Sequence, residues 1–340
     1  MSIYCGVDFH ARQQVVAWCD TADGEIHITK LEHSDISKVR EFYASFSGAV
    51  IVGLEACGYS QWFEDLLFEF PHEIRIGNAA EIRKRARSRQ KNDRRDAENV
   101  LALLLKNEFP RLYPPQARSR AILQKLRHRH RLVQLRTTAL NHLHAIAISA
   151  GLSIKSKLMT KEGRRKLNAL RLSQTQAQQR LQWLDLVDHL TPLIDALEKE
   201  LKALADEDPQ AARLMSHPGI GPLTSLALVH TLGPVERFSN ARKVTAYAGL
   251  DPLEYSSGER QRIGSISKQG SRLLRFLLVE AGHNAARHDP ELKRFYYRVL
   301  QRRDKARAKV AVARRLLVRA YVLLRDEIDY AEFRRRAVKA

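Results

Sequence analysis

Two short apolar runs limit this chain's fold more than any other feature. Each ends in an acid and carries a glycine two residues earlier: Ser2-Ile3-Tyr4-Cys5-Gly6-Val7-Asp8 and Ala49-Val50-Ile51-Val52-Gly53-Leu54-Glu55. The second has the unbroken apolar character of a strand buried on both faces. Side chains alternate along a strand, so Gly6 and Asp8 share one face, as do Gly53 and Glu55. If the two strands are parallel neighbours, both carboxylates emerge at one sheet edge, where open α/β sheets place their sites. Taken singly, each acid is an ordinary polar strand end. The flanking pattern agrees with a sheet. Gln13 to Cys19 and Glu25 to Thr29 read as strands around the Ala22-Asp23-Gly24 turn. Ser34 is placed to cap a helix reaching Phe46, Ser60 to Phe68 reads as a helix, and Glu73 to Ile76 as a short strand. Three strands, helix, strand, helix, strand is an α/β order.

A second pair of acids lies in Lys91-Asn92-Asp93-Arg94-Arg95-Asp96-Ala97-Glu98. Asp93 and Asp96 are three apart and share one face of a helix. Two carboxylates flanked by Arg and Lys suit a divalent cation beside a phosphodiester. The same residues also read as helix-start chemistry, Asp93 as an N-cap and Asp96 as a first-turn acid favoured by the helix dipole. From Arg83 to Arg95, eight of thirteen residues are Lys or Arg, with Asp93 the only acid. Arg83, Arg85, Arg87, Arg94 and Arg95 form either a solvated face or, the preferred reading, a segment that tracks phosphates.

Charge separates the chain into unlike parts. Residues 1–80 hold five Lys/Arg and twelve Asp/Glu, or −7; with +20 overall, residues 81–340 carry +27. A polyanion, DNA or RNA, is the expected partner. Anionic membrane is the weaker expectation, since no apolar run approaches the ~20 residues of a spanning helix and no signal peptide opens the chain. Three cysteines without CxxC spacing argue against a zinc site or a disulfide framework and fit a reducing cytosol. A cytoplasmic, nucleoid-associated protein is the expectation.

Pro110, Pro114 and Pro115 mark a boundary, giving domains at 1–112, 113–206 and 207–340. Arg118 to Arg136 holds seven Lys/Arg and no acid; Arg127, Arg129 and Arg131 alternate with His128 and His130, which suits backbone contacts to nucleic acid. Trp183, Val187, Leu190, Ile194, Leu197, Leu201 and Leu204 step by heptad spacing. The expectation is an antiparallel coiled coil pairing 118–150 with 174–206, within one chain or between copies, with Pro192 kinking the second helix or setting its start. His217-Pro218-Gly219-Ile220-Gly221-Pro222-Leu223-Thr224 looks like the hairpin of a helix-hairpin-helix, whose glycines, Gly219 and Gly221, let backbone amides approach a DNA phosphate. A plain Gly-Pro turn needs no ligand. Gly249 to Arg260 is turn-rich with adjacent Ser256 and Ser257, and it brings in a run of bases at Arg260, Arg262 and Lys268. Residues 287–325 carry thirteen Lys/Arg against three acids and read as a nucleic-acid-facing or solvated helical tail.

Together these pieces resemble, over nearly the whole chain, the DEDD transposases of insertion-sequence family one-ten, including the eleven-eleven branch and the Piv-type DNA invertases. The resemblance rests on Gly6-Val7-Asp8, Gly53-Leu54-Glu55-Ala56 and Asn92-Asp93-Arg94-Arg95-Asp96-Ala97. It rests also on Pro218 to Thr224, and on Tyr247-Ala248-Gly249-Leu250-Asp251-Pro252 followed by Ser256-Ser257-Gly258 and Ile266-Ser267-Lys268-Gln269-Gly270. Where the family usually has Gly-Asn after that last lysine segment, this chain has Gly270-Ser271. The resemblance implies a RuvC-like, ribonuclease-H-type α/β domain whose acids Asp8, Glu55, Asp93 and Asp96 bind Mg2+, two ions in all. It further implies a coiled-coil insert and a mainly helical transposase domain with a nucleophilic serine, Ser257, with Ser256 as the alternative. It implies donor and target DNA, a structured guide (bridge) RNA, and homodimers assembling to homotetramers. The implied function is DNA cutting and rejoining through a serine–DNA phosphoester. The rivals are a metal-dependent nuclease or junction resolvase using water, and a non-enzymatic nucleic-acid-binding protein.

Overall fold

The computed structural model describes residues 2–85, 92–153, 157–254 and 263–339. The chain divides into two compact units, Met1–Pro114 and Pro115–Ala340.

The first unit is a five-stranded mixed sheet between two helical layers. Its elements are β1 (Ile3–Phe9), β2 (Gln13–Asp20), β3 (Ile26–Glu32), α1 (Ile36–Ala44), β4 (Val50–Glu55), α2 (Gln61–Leu67), β5 (Glu73–Gly77), α3 (Ala79–Arg85) and α4 (Asp93–Leu105). The strand order is β3-β2-β1-β4-β5. β1 to β3 form an antiparallel meander, while β1–β4 and β4–β5 are parallel. The α/β reading of the sequence and its order of elements along the chain are thus found, with one local correction: Asp35, not Ser34, caps α1, accepting from the Lys38 amide.

Strand alternation sorts the two faces. Cys5, Val7 and Phe9 point to one side and pack with Val39 and Tyr43 of α1 and Phe63, Leu66 and Leu67 of α2. The other side, carrying Tyr4, Gly6 and Asp8, faces α4, whose Ala97 and Leu101 pack with Val15, Ala17 and Cys19. Gly6 is required here: a Cβ would collide with the Leu101 amide nitrogen and the Ala97 carbonyl oxygen. Gly53, its partner across the parallel ladder, lies under Leu104 of the same helix. The two glycines let α4 rest directly on β1 and β4.

The second unit is almost wholly helical. α5 (Ala117–Ser149) and α7 (Gln174–Glu207) run antiparallel, with α6 (Lys161–Asn168) closing the tip of the hairpin through Leu158 and Leu167. Antiparallel register is visible in Arg129–Glu198 at one end and in the Gln176–Ser149 hydrogen bond at the other. Val187, Leu190, Ile194 and Leu201 of the heptad stripe are buried. Pro192 neither ends nor starts the helix; it lies on an exposed position within α7, where its missing N–H leaves no buried orphan. A Ser173–Gln176 capping box starts the helix instead.

The remaining elements are α8 (Pro209–Met215), α9 (Pro222–Leu232), α10 (Ala241–Tyr247), the short hairpin β6 (Pro252–Glu254) and β7 (Ile263–Ile266), α11 (Arg272–His288), α12 (Pro290–Arg302), α13 (Lys305–Arg325) and α14 (Tyr330–Lys339). Their core continues into Ile122, Leu123 and Leu126 of α5 and Leu201 and Ala205 of α7, so the hairpin is rooted in it. Residues 287–325 are not a solvated tail. Val312, Ala313, Leu316, Leu317, Ala320 and Leu323 of α13 are fully buried, and its basic residues occupy the other faces of an amphipathic helix, except Arg319, which is buried with them.

Candidate active site

The first unit gathers acids at the carboxyl-terminal edge of its parallel strands. Gly6 pairs with Gly53 and Val7 with Leu54, so Asp8 and Glu55 follow at the same level of neighbouring strands. α4 descends on Gly6 through Ala97, so Asp96 and Asp93, one and four residues toward its start, are brought near Asp8. The capping role belongs to Asn92, whose side chain accepts from the Arg94 amide. That leaves the Asp93 carboxylate for other partners.

His10 Nε2 lies 3.0 Å from Asp8 Oδ2 and 3.6 Å from Asp93 Oδ1. Gln13 Nε2 donates to Asp93 Oδ2 at 3.3 Å. Asp8, His10 and Asp93 each offer one ligand atom within 4.8 Å of the others. Burial pushes the Asp8 carboxyl above its ordinary range; His10 pulls it back, and the charges of Asp96 and Asp93 push it up again. Crowded, partly desolvated carboxylates are a site that a hard, oxygen-seeking cation relieves, so the donor set fits a divalent ion. His10 stands between the two carboxylates, within reach of both. Glu55 is at the same edge, but its carboxylate accepts from Arg83 at 3.3 Å and lies outside the Asp8–His10–Asp93 group. His10 and Gln13 were not singled out from sequence. His10 follows Asp8 at the strand spacing of two, and that was the available signal.

The expected nucleic-acid contacts fall into distinct settings. Arg94 pairs with Glu98 at 2.9 Å and Arg95 is exposed. Arg85 donates to the Glu108 carbonyl. On α5, Arg127 and Arg131 are exposed, while Arg129 is only 16% exposed and engages Glu198. Gly219 has φ +97° and packs against the backbone of Ala285 in α11, a close approach that itself demands glycine. Gly221 has open space around it. Lys268 is exposed, in the left-handed region at φ +55°.

Ser256, Ser257, Arg260, Arg262 and Arg87 lie outside the described residues. The stem that carries the two serines is firmly built. Ser267 N donates to Asp251 O at 2.8 Å and Lys268 N to Gly249 O at 3.1 Å. Gly249 and Gly270, both at positive φ, let the two arms approach, and Arg275 donates to the carbonyls of Ala248, Gln269 and Gly270.

No helix among the described residues is long and apolar enough to cross a membrane. Two family models match the chain. One, a DEDD transposase of the IS110 type, covers residues 5–148, and the other, described as Transposase IS116/IS110/IS902 family, covers 211–297. The chain is 26% identical to the transposase for insertion sequence element IS1111A of Coxiella burnetii over 303 residues, 86% of this chain and 83% of that one. It is 29% identical to the transposase for IS1328 of Yersinia enterocolitica over 238 residues, 68% and 69% of the two chains. It is also 26% identical to the pilin gene-inverting protein of Moraxella bovis over 266 residues, 75% and 73%. The first match covers the acid-bearing α/β unit and runs on through most of α5, the second lies within the helical unit, and the chain belongs to the DEDD transposases of the IS110 family, DNA-recombining enzymes.

Proposed function

We propose that this transposase cuts and rejoins donor and target DNA through a covalent phosphoester on Ser257, assisted by Mg2+ held by Asp8, Glu55, Asp93 and Asp96. The observation that carries the reading is the convergence of Asp8 and Asp93, from a strand end and a helix start, on one edge of the sheet. Bound there, two Mg2+ ions would neutralise the scissile phosphate and the charge developing on the leaving oxygen. The chain's own part is to hold the acids in place: Gly6 and Gly53 seat α4, Asn92 caps it, and Gln13 orients Asp93.

Ser257 Oγ attacks phosphorus, the Oγ–P bond forms as the P–O bond to one deoxyribose breaks, and the freed sugar oxygen takes up the proton the serine gives up. Attack by a second sugar hydroxyl reverses these steps on a new strand. The phosphoester conserves the bond energy, so no nucleotide cofactor is needed, in keeping with the lack of a P-loop motif in the sequence. The charge of +27 on residues 81–340 suits a large polyanionic partner, and an element-encoded guide RNA paired with both DNAs is what the family resemblance adds to that. Dimers assembling to tetramers are the expected form.

The test is to trap and map a protein–DNA adduct. The expected result is an adduct at Ser257 that disappears in Ser257→Ala and in EDTA. An adduct that survives Ser257→Ala moves the nucleophile elsewhere, Ser256 first. Hydrolysed ends with no adduct give the chain the chemistry of a water-using nuclease. Sequencing co-purified RNA tests guidance; absence of a discrete structured species removes that part.

A further inference from the structure

Asp8 and Phe9 are consecutive on β1, so their side chains leave the strand end on opposite faces of the sheet. Asp8 faces α4 and the other acids. Phe9 enters a ring cluster on the α1–α2 face, stacked on Phe63 with centroids 5.2 Å apart and flanked by His33 at 4.8 Å and Trp62 at 5.8 Å. Tyr59 lies against the outer side of Phe9, stacked at 5.9 Å and 30°. It is 49% exposed, although the rings beneath it are packed.

Tyr59 is held there by a short, anchored connection. The segment starts directly after Glu55, where Ala56 N donates to Gly77 O at 3.0 Å. It ends at Ser60, which is buried and donates to Glu64 at 2.8 Å. The ring thus leans on Phe9 from an anchored segment and leaves about half of its surface in water. An aromatic ring in this setting is expected to recruit a flat partner.

We infer that Tyr59 is a stacking platform for an unpaired base of the DNA strand, next to the phosphate held at Asp8 and Asp93. This rests on the proposed strand chemistry at those acids. A strand draped over the end of β1 offers its phosphate to the Asp8 face and the adjoining base to the Tyr59 face. Stacking accepts any base, because every base has a π-face. It thus fits an enzyme whose sequence choice lies outside this contact. The platform also holds the strand open beside the reacting phosphate, where a paired base would be drawn back into its duplex.

The experiment uses the full-length protein and DNA single strands with 5-iododeoxyuridine at successive positions, irradiated and mapped by peptide mass spectrometry. The expected result is an adduct on Tyr59 from one position of the probe. Tyr59→Ala and Tyr59→Leu should each weaken binding of that strand about tenfold at raised salt, with the salt slope unchanged, while Tyr59→Phe binds as the parent does. Thermal melting of each variant checks the fold, and the half-exposed ring gives little reason for loss. Equal binding by the parent and Tyr59→Leu, with no adduct at Tyr59, overturns the platform. The catalytic reading fails separately, through Asp8→Asn: that variant should keep the Tyr59 adduct and lose strand cleavage, and unchanged cleavage would remove the acids from the chemistry while leaving the adduct result standing.

Discussion

Gly6 and Gly53 are direct partners across the parallel β1–β4 ladder, and both lie beneath α4. Two residues further on, the same strands present Asp8 and Glu55. The missing side chains and the acids are therefore one device: the glycines admit the helix, and the helix brings Asp93 and Asp96 to the strand ends.

Gly6→Ala should damage the site from a distance. The new methyl meets helix backbone, which cannot swing aside as a flexible side chain can, so α4 must lift. The expected cost is about 1–3 kcal/mol, with strand cleavage falling further than stability alone explains, because Asp93 moves away from Asp8. Gly48→Ala, where a Cβ meets nothing within 4 Å, is the control. Equal thermal melts and equal cleavage for the two variants would remove the glycine from the argument.

The Gly-x-acid pattern was readable in the sequence because strand periodicity fixes which residues share a face, and parallel pairing then follows from the order of elements. Other features were not readable. The partners of Asp93 depend on the turn that returns β1 into β2, which sets His10 and Gln13 beside it. Thirteen basic residues across 287–325 hid the apolar stripe of α13, since net charge says nothing of which face carries it. The link from Arg319 to His217 spans 102 residues and has no local signature.

Asp8→Asn should separate metal binding from folding. The Asp8 carboxylate is destabilised by burial and by the neighbouring charges of Asp96 and Asp93. Removing that charge should leave the metal-free protein as stable as the parent or more so. Mg2+ or Mn2+ should raise the parent's melting temperature and leave that of Asp8→Asn unmoved. His10→Ala should weaken Mn2+ binding on the order of tenfold, the usual loss when a group that orients a ligand is removed. Calorimetric titration with Mn2+ checks both; full metal stabilisation of Asp8→Asn would rule out this carboxylate as a ligand.

Neighbouring arginines on α5 should behave differently. Arg127 is exposed, and its removal should lower DNA affinity at low salt and reduce the salt slope by about 1. Arg129 engages Glu198 across the hairpin and is largely covered. Arg129→Ala should leave the salt slope nearly unchanged and loosen the α5–α7 pair. Binding isotherms over a salt series, with hydrogen exchange of the hairpin, distinguish the two; identical slopes for both variants would contradict the assignment.

The helical unit should be acid-labile through a buried polar cluster. Arg319 donates to Asp289 at 2.7 Å and to Glu291 at 2.6 Å, approaches His217 Nε2 at 3.4 Å, and Tyr330 donates to Asp289. Burial lowers His217 from its ordinary 6.5 to about 4, so the folded state keeps it neutral while the unfolded chain binds a proton. Its contribution is complete above about pH 7 and is lost as pH falls toward 4, by up to about 3 kcal/mol. Asp289 is held down at about 2 by Tyr330, the Leu292 amide and Arg319, against the opposing effect of its burial. It adds a second loss only as pH falls from about 4 toward 2. Urea-driven exposure of α13, read by pulsed hydrogen exchange, should show midpoints falling between pH 7 and 4 in the parent. His217→Gln should flatten that slope while keeping the lower one, and Arg319→Ala, which strands the buried Asp289, should destabilise α13 by about 3–5 kcal/mol. A pH-independent midpoint in the parent between 7 and 4 would show that His217 is not buried neutral.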